Sequence, residues 1–287
     1  MDPPTTRYVD RDGHALAYQV VGDRGVDIVW YLDAGLHLDL MWTDPHIHYL
    51  FERTTTFSRS VCFQRRGFGL SDRVDHVPTI EEQADDVLAV MDAVGMEKAI
   101  LVGIGTACGP LALLAARTPD RVTGVFFHQP FAESLLQTDP VPHGLTPETG
   151  VTLVEGWLDA ARNWGTGQTL SMWDPAADTT FNRRLMAMME RCSCTPAEAR
   201  AHFDWFLRLD YSQTLPLVQC PLVAVLVADS PMPEGVVRYV AEQAPRGAFV
   251  QLPPSPPGAA LGEAWRAVID AVEELATGSH HPADADR

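Results

Sequence analysis

Residues 99–122 read AILVGIGTACGPLALLAARTPDRV, and this stretch decides the fold. Ala99–Gly103 is a continuous apolar run of the kind found in a parallel strand that is buried on both faces. Small residues follow it, and a helical pattern then extends over Ala107–Arg117. The stretch therefore predicts a buried strand, a tight turn and a helix in direct succession.

The same alternation of strands and helices extends on both sides of this stretch. Apolar runs predict further strands at Ala15–Val21, Asp27–Tyr31, Ser60–Gln64, Val122–Phe127, Pro221–Val227 and Ala248–Leu252. Further helices are predicted at Thr79–Val94, Pro233–Ala244 and Leu261–Leu275. The first of these helices opens with Thr79 and Glu82 at the spacing of a capping box. Strands that alternate with helices favour a doubly wound α/β sheet.

Residues 131–216 interrupt this alternation, and we call this segment the lid. It is largely helical, and its large apolar side chains include Trp157, Trp164, Trp173, Trp205, Met186, Met188 and Met189. These side chains either line a ligand pocket or form the core of the lid itself. The sequence thus predicts a core at residues 1–130 and 217–277, the lid, and a polar tail at 278–287 that we expect to be disordered.

Composition excludes several classes of function. The chain has 287 residues, of which 46% are hydrophobic, and a formal net charge of −17. This acidity argues against nucleic acid and membrane surfaces as partners. The sequence shows neither a membrane-spanning apolar run nor a signal-peptide pattern, so we expect a cytoplasmic protein. The five cysteines are expected to be free thiols, and no metal or other cofactor is predicted. No pattern predicts an oligomeric state.

Several segments, in this order, resemble one branch of the α/β-hydrolase superfamily, whose members occur alone or fused to adenylate-cyclase-like domains. The matching stretches are DGHALAYQVVGD, HLDLMWTDP, RRGFGLSDR, PTIEEQADDVLAVMDAVGMEKAILVG, LALLAARTPDRV, WGTG and LRLDYSQTLPLVQCPLVAVL. Together they extend over nearly the whole chain up to about Leu275. The resemblance implies an α/β-hydrolase fold, with a mostly parallel doubly wound sheet and an inserted helical lid. It also implies defined positions for a catalytic serine, histidine and acid.

The turn that should carry the serine has no such residue. In the family this turn reads G-x-S-x-G, and a match without gaps places Gly105 at the serine position. Glycine has no side chain and cannot attack a substrate. Thr106, which follows it, and Cys108, near the start of the helix where the pKa of a thiol tends to fall, are the alternative nucleophiles.

The family's histidine is absent as well. A match without gaps places Pro257 at its position, and no histidine occurs between His202 and His280. The acid position keeps Asp229, which either hydrogen-bonds the backbone of its loop or faces the pocket. The sequence therefore predicts a degenerate triad with vestigial positions at Gly105, Asp229 and Pro257.

Other polar residues are candidates for substrate contact. Asp33 lies in the loop where the family usually has a small residue, and its carboxylate would repel an oxyanion, act as a base or cap a turn. His37 lies in the same loop, and His128 ends a predicted strand at the edge where α/β folds bind ligands. Each is either functional or structural, whereas His46 and His48 are expected on the surface. The predicted substrate-binding residues are Asp33, His37, Gly105, Thr106, His128, Trp157, Trp164, Trp173 and Trp205.

These features predict a non-hydrolytic enzyme that positions a partly hydrophobic small molecule or peptide, which supplies some of its own acid–base chemistry. Epimerisation, isomerisation or cyclisation in natural-product biosynthesis fits this prediction. In its missing serine and histidine the chain is similar to the triad-less α/β-hydrolase-fold epimerase of bottromycin (RiPP) biosynthesis. We then expect Gly105→Ala to change little unless it fills the pocket, and Asp229→Asn to cost little activity.

Two alternatives stay open at this point. The same pocket suits a non-catalytic protein that binds a small molecule or peptide. A hydrolase with a rebuilt site would instead use Thr106 or Cys108 with His37 or His128. A chemical change in the bound ligand separates the isomerase from the binding protein, and covalent labelling by a phosphonyl probe identifies the hydrolase.

Overall fold

The described part of the chain, residues 2–32, 34–259 and 265–279 of a computed structural model, contains one eight-stranded sheet. Its strands are β1 (Arg7–Arg11), β2 (His14–Val21), β3 (Val26–Leu32), β4 (Ser58–Gln64), β5 (Ala99–Ile104), β6 (Val122–His128), β7 (Leu222–Val227) and β8 (Gly247–Leu252). Their order across the sheet is β1-β2-β4-β3-β5-β6-β7-β8. The pairs β1–β2 and β2–β4 are antiparallel, and the other neighbouring pairs are parallel. The mostly parallel sheet predicted from the sequence is confirmed.

Each strand predicted from an apolar run is present, and its ends agree with the prediction to within two residues. The prediction missed β1, whose sequence RYVDR has three charged residues among five. β1 is an edge strand that pairs only with β2, and most of its side chains are exposed. It therefore lacks the apolar pattern by which buried strands are recognised.

Helices cover both faces of the sheet. The described α-helices are α1 (Pro45–Thr54), α2 (Ile80–Ala93), α3 (Cys108–Arg117), α4 (Pro147–Arg162), α5 (Leu170–Trp173), α6 (Thr180–Ser193), α7 (Pro196–Arg208), α8 (Glu234–Gln243) and α9 (Arg266–Thr277). Side chains of α2, α3 and α8 form one apolar core with the sheet, and those of α1 and α9 form a second. This arrangement explains why the central strands are apolar on both sides.

The start of α2 has the capping interactions that the sequence predicted. Thr79 accepts a hydrogen bond from the backbone N–H of Glu82, whose carboxylate accepts one from the N–H of Thr79, so the predicted capping box at α2 is confirmed. α9 begins at Arg266, and residues 261–264 of its predicted range lie outside the described residues. Residues 280–287 of the predicted disordered tail lie outside them too.

Helices α4 to α7 stand between β6 and β7, where the lid was predicted. Their centre is aromatic: Trp157 of α4 stacks against Phe203 of α7 at 5.7 Å and meets Phe206 edge-on at 5.0 Å. This cluster is continuous with the core beneath α3, so the lid is packed onto the sheet domain. No α-helix within the described ranges is long and apolar enough to cross a membrane.

Gln64, at the carboxyl end of β4, holds two loops beside the sheet edge. Its Oε1 accepts from the backbone N–H groups of Leu38 and Leu70, each at 3.3 Å, and its Nε2 donates to the carbonyl of Leu36 at 2.8 Å. The side chain is fully buried. Because buried amides need such partners, Gln64 fixes the course of the loop that follows β3.

We predict that Asp86→Ala lowers the free energy of unfolding by about 3 kcal/mol, because it leaves the buried guanidinium of Arg66 without its carboxylate. In the native chain Asp86 is 0% exposed and accepts from Arg66 Nε at 2.9 Å. Urea denaturation measures the loss. As a control, Glu234→Ala breaks the exposed pair with Arg238 and should cost less than about 1 kcal/mol. Equal losses in the two variants would contradict the prediction.

Candidate functional site

A cavity lies at the carboxyl ends of β3, β5, β6 and β7, between the lid and helices α1 and α9. Its volume is about 120 Å³, roughly ten times what one water molecule requires. It is lined by Trp30, Tyr31, Leu32, Ala34, Gly35, Leu36, Met41, Ile47, Leu50, Phe51, Val102, Ile104, His128, Gln129, Leu170, Trp173, Asp174, Met186, Met189, Val227, Trp265, Val268 and Ile269. The polar residues of this lining are His128, Gln129 and Asp174. The other side chains are apolar except for the indole N–H groups of the tryptophans and the hydroxyl of Tyr31.

Gly105, the first residue after β5, turns the chain sharply towards α3. Its φ is +53°, in the left-handed region that favours glycine. A Cβ at this position would lie 2.4 Å from Cη2 of Trp173, far inside van der Waals contact. The indole of Trp173 thus takes the space into which a side chain at position 105 would project. Gly105→Ala therefore meets the exception made above, since its methyl group would press on a residue that lines the cavity.

Gln129 holds Trp173 in place from the sheet edge. Its Nε2 donates to the backbone carbonyl of Trp173 at 3.0 Å, and its Oε1 accepts from the hydroxyl of Ser230 at 2.9 Å. The indole also meets Trp157 edge-on, with ring centroids 4.9 Å apart. Gln129 is buried and has a φ of +49°, an uncommon conformation for a residue with a side chain. These contacts connect β6, β7 and the lid at one point.

The loop after β8, where the family places its histidine, is hydrogen-bonded to the lid. The hydroxyl of Ser255 donates to Oδ2 of Asp174 at 2.5 Å, and the N–H of Gly258 donates to the carbonyl of Ala176 at 3.0 Å. Asn182 donates its amide to the carbonyl of Ala259 at 2.7 Å. Pro257 is exposed and lies outside the cavity lining. Up to Ala259, this loop is therefore hydrogen-bonded to the lid beside the cavity.

Asp229 follows β7 and is exposed, with a φ of +67°. It is not among the residues that line the cavity, whereas its neighbour Ser230 reaches Gln129. Of the two roles left open for Asp229, the structure does not support facing the pocket.

His128, the last residue of β6, lines the cavity. Burial lowers the pKa of its imidazole to about 4, so the ring is neutral at pH 7. The ring stacks on Trp265 with centroids 5.4 Å apart. Its Nδ1 is buried and has no hydrogen-bond partner among the described residues. Because Nδ1 exposes almost no surface, other atoms of the His128 ring border the cavity.

The other predicted polar candidates lie apart from the cavity. His37 is buried, its Nδ1 accepts from the N–H of Leu40 at 3.4 Å, and burial lowers its pKa. Thr106 and Cys108 are buried, and neither lines the cavity. Asp33 lies outside the described residues. The structure thus brings His128 to the cavity but not His37, Thr106 or Cys108.

The predicted tryptophans separate into two groups. Trp173 lines the cavity, and Trp157 packs directly behind it. Trp164 donates to the carbonyl of Cys194 at 3.0 Å, and Trp205 packs on His202, so both belong to the lid's own packing. Sequence reasoning missed Trp30, Gln129, Asp174 and Trp265 as lining residues. The signal that could have identified them was their place at the ends of elements: Trp30 and Gln129 lie at the carboxyl ends of β3 and β6, Asp174 follows α5, and Trp265 precedes α9.

Residues 52–190 match the family model for the alpha/beta hydrolase fold. The sheet order and the tight glycine turn between β5 and α3 agree with that match. The chain has the α/β-hydrolase fold. This confirms the fold expected from the sequence, while the branch resemblance and the likeness to the bottromycin epimerase gain no support from the match.

Relatives and solved structures of this α/β-hydrolase-fold chain carry the names of enzymes. A bifunctional esterase/perhydrolase from Acinetobacter calcoaceticus is 28% identical over 139 residues, which are 48% of this chain and 49% of that protein. The chain thus aligns with about half the length of this curated relative. Within the described ranges, no group of three or more His, Cys, Asp or Glu residues is placed to hold a metal ion.

Among solved structures, an enol-lactonase from Burkholderia xenovorans is 21% identical, with a TM-score of 0.67 and coverage of 93% of this chain and 97% of that one. An esterase from Thermogutta terrifontis is 20% identical, with a TM-score of 0.70 and coverage of 96% and 100%. A bromoperoxidase from Bacillus anthracis is 16% identical, with a TM-score of 0.73 and coverage of 94% and 99%. At these identities the likeness establishes the fold alone.

We predict that Gly105→Ala lowers the free energy of unfolding by about 2 kcal/mol or more, because the methyl group meets Trp173 at a left-handed backbone position. Adding Trp173→Ala should recover at least about 1 kcal/mol of that loss in a double-mutant cycle. Gly150→Ala, within helix α4, is the control, since a Cβ at position 150 would lie an ordinary 3.7 Å from the side chain of Leu145. It should be neutral or stabilising. Additive effects at 105 and 173 would contradict the contact.

We predict that His128 makes the protein less stable as the pH falls from about 6.5 towards 4. Its folded pKa of about 4 lies below the usual value of 6.5, so the unfolded chain binds a proton first in this window. Relative to His128→Phe, the wild type should lose about 2 kcal/mol between pH 7 and pH 5. Comparing denaturation of the two proteins cancels the contribution of other histidines. Parallel pH profiles would show that His128 is not buried as a neutral ring.

Proposed function

We propose that this chain binds a small, predominantly apolar molecule in the cavity and holds it without hydrolysing it. The observation that carries the proposal is the position of Trp173 over Gly105. The space that a nucleophile's side chain would need is filled by an indole that itself forms part of the cavity wall. Trp173 covers the turn at Gly105 and presents an apolar surface to the cavity, which suits the binding of an apolar ligand.

The lining supports an apolar ligand. Trp30 donates its indole N–H to Ser60 at 3.1 Å, and the hydroxyl of Tyr31 contacts Oε1 of Gln83 at 2.5 Å. Both polar atoms are engaged away from the cavity, so these side chains offer it mainly carbon. Burial of apolar surface against such walls contributes about 25 cal/mol per Å².

A rebuilt hydrolase site has little support in the geometry. Cys108 is 0% exposed and Thr106 is 3% exposed, and neither borders the cavity. His37 also lies outside the lining, so it cannot pair with them next to a ligand there. Hydrolysis remains the reaction that the names of the relatives suggest, and the experiment below includes it as an outcome.

Isomerisation by proton transfer, the function expected from the sequence, needs a base near the ligand. His128 borders the cavity, but its pKa of about 4 makes it a weak base at neutral pH. The carboxylate of Asp174 already accepts hydrogen bonds from Ser255 and from the N–H of Ala177. The esterase and lactonase relatives give this reading no support either. Binding therefore fits the site better than isomerisation.

The test combines ligand binding with active-site labelling. The neutral compound ethylbenzene should bind the wild type in a calorimetric titration, because the cavity is apolar and has a volume of about 120 Å³. Met186→Trp, which enlarges a lining residue on α6, should weaken binding at least tenfold. Met188→Trp, on the same helix but outside the lining, should leave binding unchanged. Intact-mass analysis after treatment with a fluorophosphonate should show no adduct.

A fluorophosphonate adduct at Thr106, or turnover of 4-nitrophenyl butyrate that Met186→Trp abolishes, would replace the binding proposal with a hydrolase. Equal binding of ethylbenzene to both methionine variants would mean that the compound occupies another surface.

A further inference from the structure

The volume of the cavity limits the part of a ligand that it can enclose. It measures about 120 Å³, and an engineered protein cavity of about 150 Å³ with apolar walls binds benzene. The cavity therefore has room for a six-membered ring with a short substituent. A second ring or a long hydrocarbon chain would have to extend beyond it.

Aromatic side chains reach this small space from several elements. Trp30 and Tyr31 belong to β3, Phe51 to α1 and Trp173 to α5 in the lid, while Trp265 directly precedes α9. Aromatic rings attract one another edge-to-face or in offset stacks, and a favourable pair strengthens association by a factor of roughly 2 to 10 beyond the effect of the buried area. A saturated ring of the same size gains the buried area but lacks the complementary charge distribution.

These lining rings are held in place by the protein itself. Trp30 meets Phe51 edge-on, with ring centroids 5.8 Å apart. Trp265 stacks on His128 at 5.4 Å, and the backbone of Trp173 is bound by the amide of a buried glutamine. Because a ligand ring need not order these side chains, the entropy cost of its binding is reduced.

Three methionines add to the contacts available to an aromatic ring. The side chains of Met41, Met186 and Met189 line the cavity. A thioether sulfur is polarisable and makes favourable contacts with the edge of an aromatic ring at a distance of about 5 Å. An aliphatic ring in the same place again gains only the buried area.

We propose that the ligand of this cavity carries one aromatic ring, which lies among the rings from β3, α1, the lid and Trp265 and is preferred to a saturated ring of the same size. This rests on the proposed binding function and specifies its ligand class. The preference arises from the hydrocarbon walls and requires no hydrogen bond, so it applies to a ligand with or without a polar substituent.

Ethylbenzene and ethylcyclohexane test the preference, because neither compound has a hydrogen-bonding atom. Depletion of each volatile compound from the headspace above a protein solution gives its affinity. Ethylcyclohexane leaves water more readily than ethylbenzene, so the ratio of the two affinities is compared between proteins, in which this difference cancels. Phe51→Leu removes one lining ring but stays apolar. In this variant the affinity for ethylbenzene relative to ethylcyclohexane should fall about fivefold, as the loss of one ring pair predicts.

Leu50→Ile is the matched control, since Leu50 lines the cavity from the same helix without a ring. It should leave the ratio of the two affinities unchanged, whatever it does to each of them. Trp265→Leu removes a lining ring outside α1 and should lower the ratio as Phe51→Leu does. Binding of ethylcyclohexane shows in each variant that the cavity has formed, so either ring variant can decide the test.

The outcomes separate the two proposals. A ratio that stays unchanged in the ring variants while both compounds bind overturns the preference for an aromatic ring and leaves the apolar binding site in place. An equal fall in Leu50→Ile would attribute the effect to the shape of the cavity and overturn the preference as well. If neither compound binds the wild type, the binding function itself fails.

Discussion

The contact between Trp173 and the bare backbone of Gly105 is the constraint on which the site depends. Because position 105 has no Cβ, a lid indole can lie directly on the turn between β5 and α3. Gln129 then fixes the lid backbone to the end of β6, and Asp174, the next residue, fixes it to the loop after β8. The lid, the carboxyl ends of β5, β6 and β7, and the loop after β8 therefore meet around Trp173, which forms one wall of the cavity.

Much of the fold could be predicted because its signals are local. A strand buried on both faces is a run of apolar residues, so the runs Ala99–Gly103 and Pro221–Val227 predicted strands β5 and β7, and Thr79 with Glu82 marked a helix start. Arg7–Arg11 did not, because the antiparallel edge strand is specified by its pairing with β2 instead of by burial. The residues of β1 alone therefore do not predict that they form a strand.

The site was less predictable because its walls come from distant segments. Local matching predicted that Gly105 stands at the serine position and Pro257 at the histidine position, since each prediction concerns one position in one motif. It could not show that Trp173, and not Trp164 or Trp205, covers Gly105, because that depends on how the lid helices pack. Nor could it show that Trp265 stacks on His128, a contact between α9 and the end of β6.

The burial of His128 limits the charge that the cavity can hold. A hydrolytic site must stabilise charge as it develops, and this needs hydrogen-bond donors or cations directed at the reacting atoms. Here the cavity keeps a histidine neutral and offers no cation among its described lining residues. An environment that lowers the pKa of an imidazole this far opposes the formation of any charge beside it. Apolar walls of this kind favour an uncharged molecule over an ion, which would lose its hydration without gaining a partner.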